Sequence, residues 1–471
     1  MSLRISRFVP MVVCAAVLAA CADGGGGAAT RASASVVPPA SIASGPVPLS
    51  GAVRRTKSAG TCSGTGSGSF NGVSTNSNVA GGTDSVVGGG SSNEACDDHA
   101  AITGGYDNVI AGTSNGATYS FIGGGYQNQV YNTAAYSAIV GGYSNVVDPS
   151  NGNSAIVGGG AYNTASSPGA ALLGGEDNTA SGFASVLVGG GYNTVSGDEG
   201  FDGGGWHNAV SAQYAAVAGG EYNQATGVSS YVGGGYTNTD SGEYGVVGGG
   251  NTNNVSGSAA VIGGGQGSYA EGAYATVPGG YDNNAAGELS FAAGFKSYAR
   301  YAGSFVWSDY ASGATLLEST GVNQFLARAT GGFTLWTNAA NSVGATLAPG
   351  SGTWASASDR NLKTDVARID DAAVLDKVAA LPISRWSYKS ERGVRHVGPM
   401  AQDFYAAFKV GEDDKHITSI DEDGVALAAI KALHRENVSL RTEDASLRAQ
   451  LAATNARLAR LTDVVTALRR H

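Results

Sequence analysis

Two neighbouring stretches decide the fold: Gly219-Gly220-Glu221-Tyr222-Asn223 and, 15 residues later, Gly234-Gly235-Tyr236-Thr237-Asn238. The same Gly-Gly-x-x-Asn phase continues on both sides of them, with the Asn position filled by Asn163, Asn178, Asn193, Asn208, Asn223, Asn238, Asn253, Ser268 and Asn283. Upstream members stand at Asn93, Asn108, Asn128 and Asn145, where wider spacings predict loop insertions, and Ser297 closes the series. A fixed period of this length indicates a repeat architecture.

Each unit carries the signals of two corners and two short strands. Paired glycines such as Gly219 and Gly220 permit positive φ and close backbone approach, and a second glycine such as Gly227 often follows the Asn by four. Small and apolar residues then alternate, as they do in a strand that faces a narrow core, except that Asp202 and Ala292 replace the larger apolar residue. Stacked units would form a β-solenoid in which Asn lies above Asn in a hydrogen-bonded ladder.

This repeat resembles the head repeats of trimeric autotransporter adhesins over about residues 78–300. The resemblance implies a left-handed β-roll in a homotrimer, and we assign residues 61–300 to this head. One turn this thin buries little apolar area, which also favours association of several chains. Residues 301–357 contain β-prone runs separated by Gly and Asn, and they predict a β-rich neck.

The first 21 residues have the pattern of an export signal. Arg4 and Arg7 precede an apolar run, from Val9 to Ala20, that is too short to span a membrane. The run ends in Leu18-Ala19-Ala20-Cys21, which resembles a bacterial lipobox and implies lipidation of Cys21; ordinary signal-peptide cleavage nearby is the alternative. Residues 22–60 are rich in Gly, Ala, Ser and Pro and predict a flexible tether. The expected location is the outer membrane or cell surface of a bacterium, with the lipid as anchor.

Charge and cysteine content narrow the classes of partner. No Lys or Arg lies between Lys57 and Lys296, so a nucleic-acid partner is not expected there. Cys62 and Cys96 form an even pair in an exported chain, which favours a disulfide, while a metal site is the rival reading. No phosphate-binding loop, zinc motif or calcium-binding repeat is present, and no cofactor or metal is predicted.

The C-terminal part carries motifs of another kind. They are Ser358-Asp359-Arg360-Asn361-Leu362-Lys363, residues 381–389, residues 396–404 and residues 421–430. In this order they closely resemble the C-terminal intramolecular chaperone of phage tail spikes of the endosialidase type, over about residues 355–471. We assign residues 358–424 to a small α/β chaperone and autoprotease domain and residues 425–471 to a trimeric coiled coil.

The resemblance implies a chaperone that trimerises, templates the fibre ahead of it and then cuts itself off. It maps the nucleophile onto Ser358 and the base onto Lys363, with the cut between Ala357 and Ser358. A Ser hydroxyl needs an adjacent base, and Lys serves as one only where burial or neighbouring charge favours its neutral form. Alternatively, Ser358 and Asp359 only cap a turn. His396 and Gln402 are further candidates for lining the site, and a structural role for them is equally open.

The chain ends in a heptad pattern. Its a positions are Ile430, Asn437, Asp444, Leu451, Leu458 and Val465, and its d positions are Leu433, Leu440, Leu447, Thr454, Leu461 and Leu468. Such a seam would hold three chains together before the slowly folding solenoid forms.

Together these features predict a surface-exposed, adhesin-like trimeric fibre that is matured by a single self-cleavage. Its ligand would be a glycan or another host-surface molecule, with the Tyr and Trp side chains near the corners as sugar-stacking candidates. The alternative is a tailspike-like enzyme that cleaves glycans, which needs a placed pair of carboxylates. A prophage tail fibre is a third possible class, but an export signal does not fit a fibre that assembles in the cytoplasm.

Overall fold

The computed structural model describes residues 62, 65–72, 77–112, 115–149, 153–311, 315–391 and 393–469. They fall into two compact units, one ending at Thr330 and the other beginning at Gly331. The predicted signal peptide (1–21), the lipidation residue Cys21 and the tether (22–60) lie outside the described residues.

The first unit consists of very short strands that form two parallel sheets. The first sheet contains Phe70–Asn71, Val86–Val87, Ala101–Ile102, Phe121–Ile122, Ala138–Ile139, Ile156–Val157, Ala171–Leu172, Val186–Leu187, Phe201–Asp202, Ala216–Val217, Tyr231–Val232, Val246–Val247, Val261–Ile262, Thr276–Val277, Gly280–Tyr281, Phe291–Phe295, Phe305–Ser308 and Phe325–Arg328. The second sheet contains Val79–Ala80, Glu94–Ala95, Val109–Ala111, Gln129–Tyr131, Val146–Val147, Thr164–Ala165, Thr179–Ala180, Thr194–Val195, Ala209–Val210, Gln224–Ala225, Thr239–Asp240, Asn254–Val255, Tyr269–Ala270, Asn284–Ala285, Ser297–Ala299 and Leu317–Glu318.

The chain alternates between the two sheets, so that each passage through both completes one turn. Val232 of the first sheet pairs in parallel with Val217 before it and Val247 after it, each one 15-residue unit away. This register repeats for about 15 turns and confirms the predicted mainly β solenoid. The sequence period is therefore the length of one turn.

A column of buried Asn side chains runs through these turns and forms the hydrogen-bonded ladder that the sequence predicts. The Asn223 backbone N–H donates to Oδ1 of Asn208 (3.0 Å), and Oδ1 of Asn223 accepts from the backbone N–H of Asn238 (3.0 Å). Its Nδ2 donates to the carbonyls of Gly219 and Gly235, both at 3.0 Å. Each such side chain thus satisfies backbone groups of its own turn and of the next, which makes Asn the residue that fixes the spacing between turns.

The corners rely on left-handed backbone at both glycine and non-glycine positions. Gly220 has φ +94°, and a Cβ there would collide with the carbonyl of Gly235 in the next turn. Tyr222 and Ser229 also take positive φ, both at +57°, which the glycine pattern does not predict. Their backbone N–H groups donate to carbonyls of the preceding turn (2.9 Å each), which stabilises a conformation that costs energy for residues with a Cβ.

The core between the two sheets is only two side chains thick. Leu187, Val217 and Ile262 are fully buried at the predicted apolar position, and Ala225 and Val255 face them from the second sheet. Two carboxylic acids interrupt this core: Asp202, which the repeat marked as an exception, and Asp240, which it did not.

The parallel stacking extends beyond residue 300, where the sequence analysis placed the start of the neck. Phe305–Ser308 pairs with Phe291–Phe295, and Phe325–Arg328 pairs with Phe305–Ser308. The rings of Phe291, Phe305 and Phe325 stack with centroids 4.4 and 4.7 Å apart. These turns lack the Asn column, and aromatic stacking takes over part of the contact between turns.

The second unit is a small β/α region followed by a long helix. Its strands are Phe333–Trp336, Gly344–Leu347 and Trp354–Ser356 in one antiparallel sheet and Ser384–Trp386 with His396–Gly398 in another. A 3₁₀ turn spans Arg360–Leu362, and the helices are α1 (Asp371–Ala380), α2 (Ala401–Phe408) and α3 (Ser419–Leu468). None of the helices in the described part of the chain combines the length and hydropathy that a membrane span requires.

Replacing one Asn of the column should destabilise the head. Asn223→Ala removes the acceptor of the Asn238 amide and a donor to Gly219, at an expected cost of about 2–4 kcal/mol. Chemical denaturation of the head measures this loss. Asn254→Ala is the matched control because that side chain lies on the outer side of the second sheet; an equal loss in both variants would contradict the role of the column.

The two buried acids should make the stability of the head depend on pH. Burial raises the pKa of Asp202 and that of Asp240 to about 7, although the amides of Gly204 and Gly242 donate to them. A carboxyl group that binds its proton more tightly in the folded protein than in the unfolded chain stabilises the fold at low pH. This contribution is lost as the pH rises. The free energy of unfolding of the head should therefore fall as the pH rises from about 4 to about 7 and then level off. The expected loss is about 1.4 kcal/mol for each unit of pKa shift.

Thermal unfolding between pH 5 and pH 8 tests this dependence. The double variant Asp202→Asn and Asp240→Asn should show a flatter profile, whereas Glu243→Gln, at an exposed position, should keep the parent slope. A parent head that is more stable at pH 8 than at pH 5 would show the inferred sign to be wrong.

Candidate active site

Ser358 lies where the antiparallel sheet of the second unit ends. The last strand, Trp354–Ser356, is followed by a backbone hydrogen bond from the Ala357 N–H to the Gly344 carbonyl (3.1 Å). The chain then leaves the sheet at Ser358 and enters the 3₁₀ turn at Arg360. The Ala357–Ser358 bond therefore joins a strand that is held in place to a tight turn.

The turn brings the two predicted catalytic side chains together. Asp359 caps it, accepting from the backbone N–H of Asn361 (2.9 Å) and from its Nδ2 (3.1 Å). The Lys363 backbone N–H closes the turn on the Arg360 carbonyl (3.1 Å). As a result Lys363 Nζ lies 2.7 Å from Ser358 Oγ, within hydrogen-bond distance. The capping role that the sequence left open thus belongs to Asp359, while Ser358 contacts Lys363.

The pair is open to solvent in the single chain. Every residue from Ala357 to Lys363 is exposed. A charged ammonium donates to the hydroxyl but cannot accept its proton, and the neutral amine is favoured by removal from water. Ser358 Oγ and Lys363 Nζ are thus in hydrogen-bond contact at a solvent-exposed turn.

An ionic cluster that the sequence analysis missed holds α1 against α3. Asp371 Oδ2 lies 3.0 Å from Lys431 Nζ and 2.8 Å from a terminal guanidinium nitrogen of Arg435. These cations, Lys431 foremost, lower the pKa of Asp371. Lys431 and Arg435 are four residues apart on one face of α3, which is a sequence signal, but their partner lies 60 residues earlier and has no local signal.

The two further site candidates lie in other surroundings. His396 stacks on Trp386 with centroids 4.7 Å apart, and its Nε2 lies 3.3 Å from Glu391 Oε2. Gln402 is exposed on α2. Within the described part of the chain, no hydrogen bond joins either of them to Ser358 or Lys363. His396 therefore acts here as part of a small aromatic cluster.

The cysteine pair lies at the start of the solenoid. Cys62 and Cys96 are joined by a disulfide with their Cα atoms 5.6 Å apart, which ties the first described residue to the second turn. Among the residues that the structure describes, no cluster of three His, Cys, Asp or Glu side chains has a geometry suited to a metal ion.

Comparison with known proteins identifies part of the second unit. Residues 358–410 match the family model described as chaperone of endosialidase, a peptidase family. No curated protein matches the chain. The match begins at Ser358, the residue at which the chain leaves the antiparallel sheet. A β-solenoid followed by an endosialidase-chaperone domain is a tail-fibre-like organisation.

Proposed function

We propose that this chain, whose residues 358–410 are an endosialidase-chaperone domain, is a trimeric, adhesin-like surface fibre that matures by cutting itself between Ala357 and Ser358. The observation that carries the proposal is the 2.7 Å contact between Lys363 Nζ and Ser358 Oγ beside that bond. The C-terminal domain brings three chains together, assists folding of the head and is then released as residues 358–471.

The proposed cleavage uses one water molecule and acts once in each chain. Neutral Lys363 accepts the hydroxyl proton while Ser358 Oγ attacks the carbonyl carbon of Ala357. The bond from that carbon to the Ser358 nitrogen breaks, and the nitrogen takes up a proton to become a free amine. Water then hydrolyses the ester between Ala357 and Ser358 Oγ, leaving a carboxylate on Ala357 and restoring the hydroxyl. This makes Ser358 the nucleophile and Lys363 the base of a single-turnover endopeptidase.

Exposure of the pair explains how cleavage would wait for assembly. In one chain Ser358 and Lys363 are both exposed to water, an environment that does not favour the neutral amine required of a base. Neighbouring chains that cover the turn would remove water and favour the neutral amine. Correct trimerisation then becomes the condition for release.

The long helix supports the proposed trimer. Its N-terminal part is buried within the second unit through Ala428, Ala429 and Ala432. Beyond them the heptad leucines stay exposed, with Leu447 at 63% and Leu458 at 63%. Leucines at heptad spacing that stay exposed among the described residues are the pattern of a coiled-coil strand, with Asn437, Asp444 and Thr454 as polar members of the seam.

The role of the head follows from its form. A long stack of repeats with no Lys or Arg between Lys57 and Lys296 suits a spacer that displays a binding surface away from the cell, and we assign that surface to a glycan or host-surface ligand. Lipid anchoring through Cys21 in the outer membrane completes the proposal. The alternative, a glycan-cleaving enzyme, needs an accessible pair of carboxylates, whereas Asp202 and Asp240, the acids with the most strongly raised pKa, are fully buried.

Intact mass of the chain from Ala22 onward tests the cleavage. The parent protein should give fragments 22–357 and 358–471, whereas Ser358→Ala should stay whole because the nucleophile is gone. Lys363→Met keeps the length of the side chain without its base, and it should slow cleavage by about 10²-fold or more. Ser356→Ala removes a hydroxyl from the preceding strand and is the matched control, which should be cut normally.

Two results would count against the dyad. Cleavage of Ser358→Ala at the same bond would exclude Ser358 as nucleophile. A parent protein that is trimeric yet uncut would make the C-terminal domain a permanent clamp, and the endopeptidase role would have to be given up.

The coupling of assembly to cleavage can be tested on the helix seam. Leu447→Glu places three charges at one d position, so it should shift the chain from trimer to monomer and also prevent cleavage. Ala449→Glu lies on the outer f position of the same heptad and should change neither. Light scattering gives the mass and gel electrophoresis the cleavage; efficient cleavage of a monomeric Leu447→Glu protein would disprove the coupling.

A further inference from the structure

One corner of the solenoid carries a residue in left-handed conformation two positions before each strand of the first sheet. In five successive turns this corner position is filled by Tyr214, Ser229, Tyr244, Ala259 and Tyr274. Their φ angles lie between +52° and +58°, and the backbone N–H of each donates to a carbonyl of the preceding turn at 2.8–3.0 Å. The positions therefore form a column with one residue fixed in each turn, which we call the tyrosine column.

Neither the backbone nor the core explains why Tyr occupies this column. Positive φ costs energy for a residue with a Cβ, and Gly169 shows that glycine fits the same corner in an earlier turn. The tyrosines also contribute little to the core, because Tyr214 is 52% exposed and Tyr244 and Tyr274 are each 59% exposed. Large rings presented to solvent on a strained backbone point to a role outside folding.

The same corner shows what happens when aromatic rings follow one another in successive turns. His99, Tyr119 and Tyr136 occupy it in three consecutive turns near the start of the head. Their rings stack almost parallel, with centroids 4.5 and 5.3 Å apart and interplanar angles of 12° and 1°. Each ring there covers a face of the next, so no space for another ring remains between the turns.

The aromatic residues at the glycine corner are packed in a similar way. The rings of Tyr192, His207 and Tyr222 stack with centroids 4.9 and 5.0 Å apart. Trp206 lies edge-on against Tyr192, and Tyr236 lies edge-on against Tyr222. These rings were the sugar-stacking candidates of the sequence analysis, but neighbouring rings already occupy much of their faces.

In the tyrosine column the middle ring of such a stack is missing. Tyr214, Tyr244 and Tyr274 follow one another at two turns, which is about 10 Å, or twice the separation of the stacked rings at the same corner. The turns between them carry the small side chains of Ser229 and Ala259. Among the described residues, no other ring contacts these three tyrosines. Two slots remain, each as thick as one ring, and Tyr244 forms a wall of both.

The slots combine aromatic walls with polar groups beside them. Ring faces carry negative partial charge and attract the polarised C–H bonds on the face of a sugar. Ser229 lies between the walls of the first slot, and the exposed Glu243 and Ser258 each come one residue before the column. Such groups can exchange hydrogen bonds with the hydroxyls of a sugar. A purely apolar guest would displace their water without replacing its hydrogen bonds.

The charge of the surroundings selects among sugars. Glu199, Glu243 and Glu288 are exposed at this corner, and no Lys or Arg lies between Lys57 and Lys296 to balance them. Like charges repel, so a sialic acid, a uronic acid or a sulfate group is disfavoured next to these carboxylates. The site therefore suits a neutral sugar such as a hexose or an N-acetylhexosamine.

We propose that the two slots of the tyrosine column bind neutral terminal pyranose rings of a glycan, each ring inserted between two Tyr rings in place of the missing one. A sugar at a chain end or branch is linked at one edge only, so its opposite edge is free to enter a slot. Several such weak contacts add up on a surface that displays many chain ends. The inference rests on the glycan-binding role proposed for the head and adds to it the residues and the class of sugar.

Filling the slots tests the proposal on the chain from Ala22 onward. Ser229→Tyr and Ala259→Tyr, made together, complete the stack that successive aromatic residues form elsewhere at this corner, where the backbone already accepts Tyr at positive φ. The double variant should keep or raise the melting temperature of the head. Its binding to an array of oligosaccharides that end in a neutral hexose or N-acetylhexosamine should fall at least about tenfold, the change expected from losing the stacking contacts.

Removal of the shared wall gives an independent measurement. Tyr244→Ala opens both slots and should reduce binding to the same array at least about tenfold. Tyr136→Ala is the matched control, because Tyr136 is an exposed ring at the same corner but lies outside the slots, and this variant should bind like the parent. Thermal unfolding followed by circular dichroism shows whether the head of each variant is folded.

The outcomes separate the slots from the wider role of the head. Equal glycan binding by the parent and the filled double variant would overturn the inference and leave the glycan-binding role standing. Binding confined to sialylated or sulfated oligosaccharides would overturn the choice of a neutral sugar. If the parent instead binds Tyr- and Trp-rich peptides on the same array, and the filled variant does not, the slots belong to a protein partner. A parent that binds no glycan at all overturns both the slots and the glycan-binding role, while self-cleavage is measured separately.

Discussion

The hydrogen bonds of the buried Asn column are the interaction on which the head depends. Stacked turns leave backbone groups at the corners without strand partners, and such groups are costly when buried. The Asn side chain is short and carries both donors and an acceptor, so one residue can bond to the turns before and after its own. The glycine corners follow from this, because a Cβ at Gly220 would occupy the space next to Asn223 Nδ2.

A solenoid held in this way has little core. Each turn contributes two small or branched side chains, and two turns use a carboxylic acid instead. Repeats of this kind are stable only as a stack. The hydrogen bonds of the Asn column fix the rise from turn to turn.

In the second unit, the contact between Ser358 and Lys363 is present in the single chain, whereas the activation that we propose for it needs three chains. The 3₁₀ turn and its Asp359 cap place Lys363 Nζ next to Ser358 Oγ within a single chain, and both residues are exposed to solvent. The helix α3 has an N-terminal part tied to α1 by Asp371 and, beyond it, heptad leucines that stay exposed among the described residues. In our proposal both are completed by the same event, the meeting of three chains.

The sequence by itself determined the solenoid, the length of its turn, the Asn column and the chaperone motifs from Ser358 onward, because each is a local pattern that repeats or a contiguous run. Only the tertiary structure decided that Asp240 lies in the core, that Tyr222 takes positive φ, that the stack continues to Arg328 and that Asp371 meets Lys431. These depend on what the next turn or a distant helix places against a residue. The residues next to a given position in the sequence do not predict such contacts. Stacking and packing energies arise between segments that the chain brings together only when it folds.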